Sequence, residues 1–284
     1  MMELSVAALE LKSIQYRRKL LTIIKKANAG HTGGSLSAVD ILNVLYNRVL
    51  HNSPENFKSL DRDRYIQSKG HSVEALYVVL ADKGFYPETD LDTLNQYQSH
   101  FIGHPTRKVN GIEQNTGALG HGLPIAVGTA IAGKKDGRSF RVFTLLGDGE
   151  LEEGSNWEAS MSAAHYGLDN LIVIVDHNKL QITGPVETVT GVGNLRQKFT
   201  AFGYAVQEVD GNSIPDLIAV FDRIPFASGK PNLVLAHTTK GKGISFIENQ
   251  VGWHHHVPNE AEFAAAMLEL SDAEKALGRR NGSW

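Results

Sequence analysis

The chain has 284 residues, 42% of them hydrophobic and 21% charged, with a net charge of −3 and no cysteine. That length buries a substantial core in one large domain or two small ones. The composition excludes a disulfide framework, a thiol nucleophile and a Cys-ligated metal, and the charge argues against a nucleic-acid binder. The N-terminus lacks the shape of a signal peptide, and the apolar stretches fall far short of the roughly 20 residues of a membrane span. These features read as a cytoplasmic protein.

Apolar residues near helical spacing predict an amphipathic helix over about Val6 to Ala27. Three glycines in "NAGHTGGSLS" break it, and Ser37 with Asp40 reads as a capping-box-like start to a second helix, Ala38 to Val49. "DRYIQSKGHSVEALYVVLADKG" reads as strand, glycine turn and helix. "NTGALGHGLPIAVGTAIAGKKDG" reads as a glycine loop and a helix of small residues. "FRVFTLL" and "NLIVIVDHN" are apolar runs rich in β-branched residues and without alternation, the pattern of strands buried on both faces; a helix from about Gly154 to His165 separates them. "YAVQEV", a helix opening after Asn212-Ser213, and "PNLVLAHTT" complete the series. Such alternation predicts an α/β fold: a doubly wound, mainly parallel sheet with helices on both faces. It reads as a single domain over 1–284, with a charged, peripheral tail from about Ser271.

In open parallel sheets, ligands bind at the carboxyl ends of strands. Asp148 of Gly147-Asp148-Gly149 lies at one such end, and Asn178 follows the next apolar run by one strand-helix-strand unit. A Gly-Asp-Gly alone is an ordinary turn with a capping aspartate; the spacing to Asn178 favours the functional reading. A carboxylate and an amide oxygen suit a hard cation such as Mg²⁺, which often shares a phosphate ligand. Gly149 admits close approach of such a phosphate. Among the neighbouring acids, Glu150 and Glu152 read as solvent-facing, and Glu153 reads equally as inward-facing or as a surface helix residue. Trp157 reads as core.

"GDG" followed by Asn178 resembles the signature of thiamine-diphosphate enzymes. "AGHTGGSLS", "SKGHS", "IGHP" and "TGALGHG", in that order, resemble transketolase. The chain is similar to the N-terminal, diphosphate-binding half of that family, in the form in which the enzyme is split into two polypeptides. The resemblance implies thiamine diphosphate and Mg²⁺ as cofactors. Asp148, Asn178 and the Leu180 carbonyl would hold the metal, and Gly149, Gly117, Leu119 and His71 would contact the cofactor. His31 and His104 would bind donor hydroxyls. His254 would line the cofactor site and assist proton transfer, for which imidazole suits near neutral pH. Glu153 would sit at a subunit interface near the cofactor. His121 stands where sugar-specific members often carry Gln. His177 and His255 depart from the family pattern, the latter where relatives commonly have Gly. Lys240 and Lys242 of "TTKGKG" read equally as diphosphate neighbours or as a solvated loop. The run His254-His255-His256 also suggests zinc, but adjacent residues of one loop rarely converge on a metal without ligands from elsewhere.

The implied reaction moves a two-carbon ketol unit from a ketose or ketose phosphate to an aldose or aldose phosphate. In the family a second, pyrimidine-binding domain supplies the activating glutamate and the arginines that grip sugar phosphate. No second glycine-punctuated series follows residue 270. The expectation is therefore a C-terminal partner subunit in an α₂β₂ heterotetramer, with this chain inactive alone. The competing readings are the α-subunit of a thiamine-dependent 2-oxo acid dehydrogenase, a deoxyxylulose-phosphate-synthase-like enzyme, and a non-catalytic binding or regulatory subunit.

Overall fold

A computed structural model describes residues 4–280; the remaining ends of the expected 1–284 domain lie outside the described residues. Helix α1 (Val6–Ala27) spans the expected range, capped by the Ser5 side chain on the Ala8 N–H. Helix α2 (Thr32–Val44) starts six residues before the expected Ala38 and ends in a π turn, Leu45–Val49. The capping reading of Ser37 and Asp40 fails because both side chains serve tertiary bonds from inside the helix. Ser37 donates to Asp176 at 2.6 Å, and Asp40 accepts a two-pronged pair from buried Arg17.

Strand β1 (Arg64–Gln67) leads through a tight turn to α3 (Val73–Asp82). Then come α4 (Gly122–Lys135), β2 (Val142–Gly147), α5 (Gly154–His165) and β3 (Leu171–His177). Short helices α6 (Val186–Thr190) and α7 (Leu195–Ala201) precede β4 (Ala205–Asp210), α8 (Ile214–Phe221) and β5 (Asn232–His237). Helix α9 (Glu260–Arg280) passes Ser271 without a break, so the tail expected from there is the second half of a helix. It packs along α1 and buries Leu270 and Leu277.

The strands form one parallel sheet in the order β1-β2-β3-β5-β4. The absence of alternation in β2 and β3 has the expected cause, since each face meets its own core. Phe143, Leu145, Ile172 and Ile174 point into a core that includes side chains of α1, α2, α3, α8 and α9. Val142, Leu146, Val173 and Val175 point to the opposite face, where α4, α5 and α7 pack. Trp157 is partly buried rather than fully core, stacked at 18° on Phe202. Among the described residues no helix is long and apolar enough to cross a membrane.

Candidate active site

The carboxyl ends of β1, β2, β3 and β5 meet at one pocket of about 260 Å³. It is lined by Lys69, His71, His104, Gly117, Leu119, Asp148, Gly149, Asn178, Leu180, Lys240 and His254, among others. The register explains the meeting of Asp148 with Asn178: Gly147 pairs with Asp176, so the residues after each strand emerge side by side. Beyond β3 the chain turns at Lys179, which adopts the left-handed φ of 67° that side chains usually avoid. The turn aims the Lys179 N–H at Asp148 Oδ2, which also meets His177 Nδ1 at 3.1 Å. Asn178 Oδ1 accepts the Leu180 N–H at 3.1 Å. Asp148 Oδ1 accepts the Gly149 N–H at 2.9 Å, so the aspartate does cap its own turn. A Cβ on Gly149 would lie 2.7 Å from Gln181 Oε1, so a side chain there would push aside the end of Gln181.

Two buried charges of opposite sign sit beneath this wall. Lys69 Nζ lies 2.6 Å from Asp176 Oδ2, and Ser37 and Thr238 donate to the same carboxylate. Burial alone would raise the Asp176 carboxyl, but Lys69 and these donors hold it below its ordinary range. Glu150 reverses the sequence expectation. A 3₁₀ turn over Gly149–Glu152 folds it back under the strand, where it is 2% exposed. It accepts from Ser68, from the Gly120 N–H at 3.1 Å and from the Gly147 N–H at 3.0 Å. Burial raises its pKa in spite of these donors. Of the two readings of Glu153 the inward one fails: it is exposed beside Gly120 and does not line the pocket. Glu152 is partly buried.

The facing wall is imidazole. His31 has its ring centroid 5.5 Å from His71, 5.6 Å from His104, 5.8 Å from His254 and 4.3 Å from His255. His71 stacks on His254 at 5.4 Å. Their positions follow from buried bonds around the start of α2. Glu74 of α3 accepts the His31 N–H at 3.2 Å and the Ser35 hydroxyl at 2.8 Å. Thr32 donates to the His256 carbonyl at 2.7 Å, strapping the histidine loop onto α2. Burial and Lys69 depress His71 strongly, and burial and His31 depress His104. Burial and Lys240 push His254 down to about 3. These three imidazoles are therefore neutral at pH 7.

Lys240 separates from Lys242 clearly. Lys242 faces outward and pairs with Glu248 at 3.3 Å. Lys240 is 1% exposed, with Nζ at 3.2 Å from the Leu180 carbonyl and 2.9 Å from His254 Nδ1. Burial and Lys69 push its pKa down to about 8. Glycine contexts made the histidines visible in the sequence. Lys69, Asp176, Glu74, Gln181 and the burial of Glu150 lie beyond the sequence reading; for Lys69, Asp176 and Glu150 the available signal is a charged residue at or just after the end of an apolar strand. His121 is exposed, with Nδ1 on its own loop's carbonyls.

A parallel α/β sheet whose strand ends gather hard oxygens, buried lysines and neutral imidazoles defines a diphosphate-binding enzyme domain. Residues 10–272 match the family described as "Transketolase, thiamine diphosphate binding domain". The chain belongs to this family. It is 45% identical over 278 residues to a subunit of the apulose-4-phosphate transketolase of Phocaeicola vulgatus, covering 98% of this chain and 99% of that one. It is 49% identical over 271 residues to the corresponding subunit of the apulose-4-phosphate transketolase of Actinobacillus succinogenes, covering 95% and 98%. The transketolase structure from Campylobacter jejuni superposes with a TM-score of 0.86 at 31% identity, covering 95% of this chain and 45% of that one. The chain thus spans nearly the whole of these single-subunit relatives and under half of that solved transketolase.

Proposed function

We propose that this chain is the N-terminal subunit of a two-subunit transketolase. It transfers a two-carbon ketol unit from a ketose phosphate to an aldose phosphate with thiamine diphosphate and Mg²⁺. The observation that carries the reading is the opposition, across one pocket, of Asp148, Asn178 and Leu180 to His71, His104 and His254, with His31 packed against all three rings. The histidine set favours this over a 2-oxo acid dehydrogenase subunit or a deoxyxylulose-phosphate-synthase-like enzyme. A scaffold without turnover would have no use for it.

The residues fit the cofactors. Asp148, Asn178 and the Leu180 carbonyl offer oxygen alone, the donor type of a hard cation. Lys240 is a buried ammonium resting on carbonyls and an imidazole, and an anion is what would restore its pKa. Gly117, at a φ of 136° and tight against His104, has no room for a side chain, so backbone can lie against a ligand there. The bound cofactor would supply the electron sink for cleaving and forming the carbon–carbon bond.

The chain's own residues orient and move protons. Asp148, Asn178 and Leu180 hold Mg²⁺, and Lys240, His71 and backbone N–H groups hold the diphosphate. His31 and neutral His104 hydrogen-bond donor hydroxyls. His254, poised on Lys240, relays a proton. Glu153, on the rim, reaches a neighbouring subunit.

The pocket is small against the roughly 300–1,000 Å³ of complete ligand sites, and Ile182 on its edge is 54% exposed. Both features suit a wall supplied by a C-terminal subunit, in an α₂β₂ assembly in the cytoplasm. Apulose-4-phosphate is the first substrate to test, on the strength of the relatives' names. With Mg²⁺ and thiamine diphosphate, ketol transfer is expected from the chain mixed with its partner and not from the chain alone. Robust transfer by the chain alone would sink the two-subunit reading. Decarboxylation of a 2-oxo acid instead of ketol transfer would sink the reaction.

A further inference from the structure

We propose that His31, His254 and His255 form a second metal site, for a borderline-soft divalent ion such as Zn²⁺. It lies apart from the oxygen ligands at Asp148, at the exposed edge of the histidine wall. The potential ligand atoms of these three residues lie within 4.8 Å of one another. The loop run of three histidines lacks a converging partner in the sequence; the fold supplies one, because His31 arrives from the start of α2. His256 is not the third ligand. Its Nε2 meets Glu262 at 2.8 Å, and its ring packs edge-on against Trp253.

The surroundings favour a metal chemically. His31 Nδ1 is buried without a hydrogen bond, 3.8 Å from the fully buried Glu74 carboxylate. A carboxylate on that side favours a proton at Nδ1 and leaves Nε2 as a free donor of its lone pair, the arrangement that raises ligand basicity in histidine metal sites. His254 bonds Lys240 through Nδ1. When Nε2 takes a metal, the proton moves to Nδ1 and the hydrogen bond from Lys240 is given up, so the ammonium turns to the Leu180 and Gln181 carbonyls it already touches at 3.2 and 3.4 Å. His255 is exposed, with its ring against the Gly30 backbone, a contact it gives up on turning to a metal. A tetrahedral ion with bonds of about 2.0–2.1 Å requires the three nitrogens to close by roughly an ångström, a side-chain rotation for His255.

Three imidazoles and an open fourth position suit Zn²⁺, Ni²⁺ or Cu²⁺, whereas Mg²⁺ prefers oxygen. The two neighbouring sites therefore sort metals by ligand chemistry. On the reading above, an ion here occupies imidazoles that the donor sugar needs, so it inhibits in competition with the donor; metal binding itself does not rest on that reading.

The test is calorimetric titration of the full chain with zinc chloride in excess Mg²⁺, which keeps the oxygen site filled. One equivalent of Zn²⁺ is expected to bind with micromolar or tighter affinity. His255→Gly, His255→Gln and His31→Asn should each weaken it by roughly ten-fold or more, and His256→Ala should leave it unchanged. Co²⁺ should give the intense visible absorption of a tetrahedral site in the parent chain and lose it in His255→Gly. No saturable uptake, uptake that survives both His255 variants, or an equal loss in His256→Ala would overturn the proposal. Zinc binding to a chain that binds no thiamine diphosphate even with its partner subunit present would overturn the functional reading alone.

Discussion

On the strand-end wall of the pocket, Asp148, Glu150 and Asp176 each accept three or more hydrogen bonds, and Lys69 neutralises Asp176. On the opposite wall, His31 Nδ1 has no hydrogen bond, the His254 and His71 pKa values are depressed, and Lys240 lies buried against carbonyls and an imidazole. One wall is complete in itself; the other is built at a cost that ligands are placed to relieve. Pre-organisation of the first kind fixes geometry. Unsatisfied polarity of the second kind is a local sacrifice of stability, a frequent companion of function.

Substitutions on the two walls should therefore differ in sign. The largest effect is expected from Lys69→Met, which leaves Asp176 charged and uncompensated in the core. The chain should lose about 3–5 kcal/mol in urea denaturation; a loss under about 1 kcal/mol would mean the strand-end wall is not self-balanced. Asp148→Ala removes a proposed metal ligand and should weaken Mg²⁺-dependent thiamine diphosphate binding beyond roughly 100-fold by calorimetry. Chelating the metal should have a comparable effect on the parent chain, and insensitivity to both would remove the metal from the site.

Lys240→Met should do the opposite to stability. The folded-state pKa of Lys240, about 8, lies below its unfolded value near 10.4. Neutral lysine therefore suits the fold better than the ammonium, and the parent chain carries the full penalty below pH 8. The variant should be more stable than the parent by about 1–3 kcal/mol at pH 7. That advantage should fade as pH rises from 8 toward the unfolded value, while diphosphate affinity falls at every pH. Denaturation at pH 7 and pH 10 checks the first claim, and equal advantages at both would refute it. The smallest effect is expected from His177→Asn, which removes one partner of Asp148 Oδ2. A loss of about ten-fold in Mg²⁺ affinity, read from metal titration of cofactor binding, would show that this departure from the family pattern supports the metal ligand.

The sequence carried most of the strand-end wall and less of its opposite. β2 and β3 were legible because a strand covered on both faces has to be apolar throughout, and the spacing of Asp148 to Asn178 followed from the unit they close. The histidines were legible through their glycine-rich contexts. The start of α2 was not, because Ser37 and Asp40 are capping residue types whose partners, Asp176 and Arg17, come from distant segments. The burial of Glu150 is not legible because a 3₁₀ turn intervenes before α5 and rotates the acidic run. The burial of Lys69 and Lys240 depends on what packs over them, which local pattern does not encode.

Glu150 has a consequence for timing. Its two oxygens hold Gly147 at the end of β2, Gly120 in the loop before α4, and Ser68 after β1. Three segments from distant parts of the chain thus share one anchor, and none can loosen without leaving a buried carboxyl group short of a hydrogen bond. The loop carrying Gly117 and Leu119 and the turn carrying Gly149 should therefore open and close as one cooperative unit. Amide exchange at Gly120 and Gly147 would then report a single opening equilibrium, and a ligand that orders one loop would meet the other already ordered.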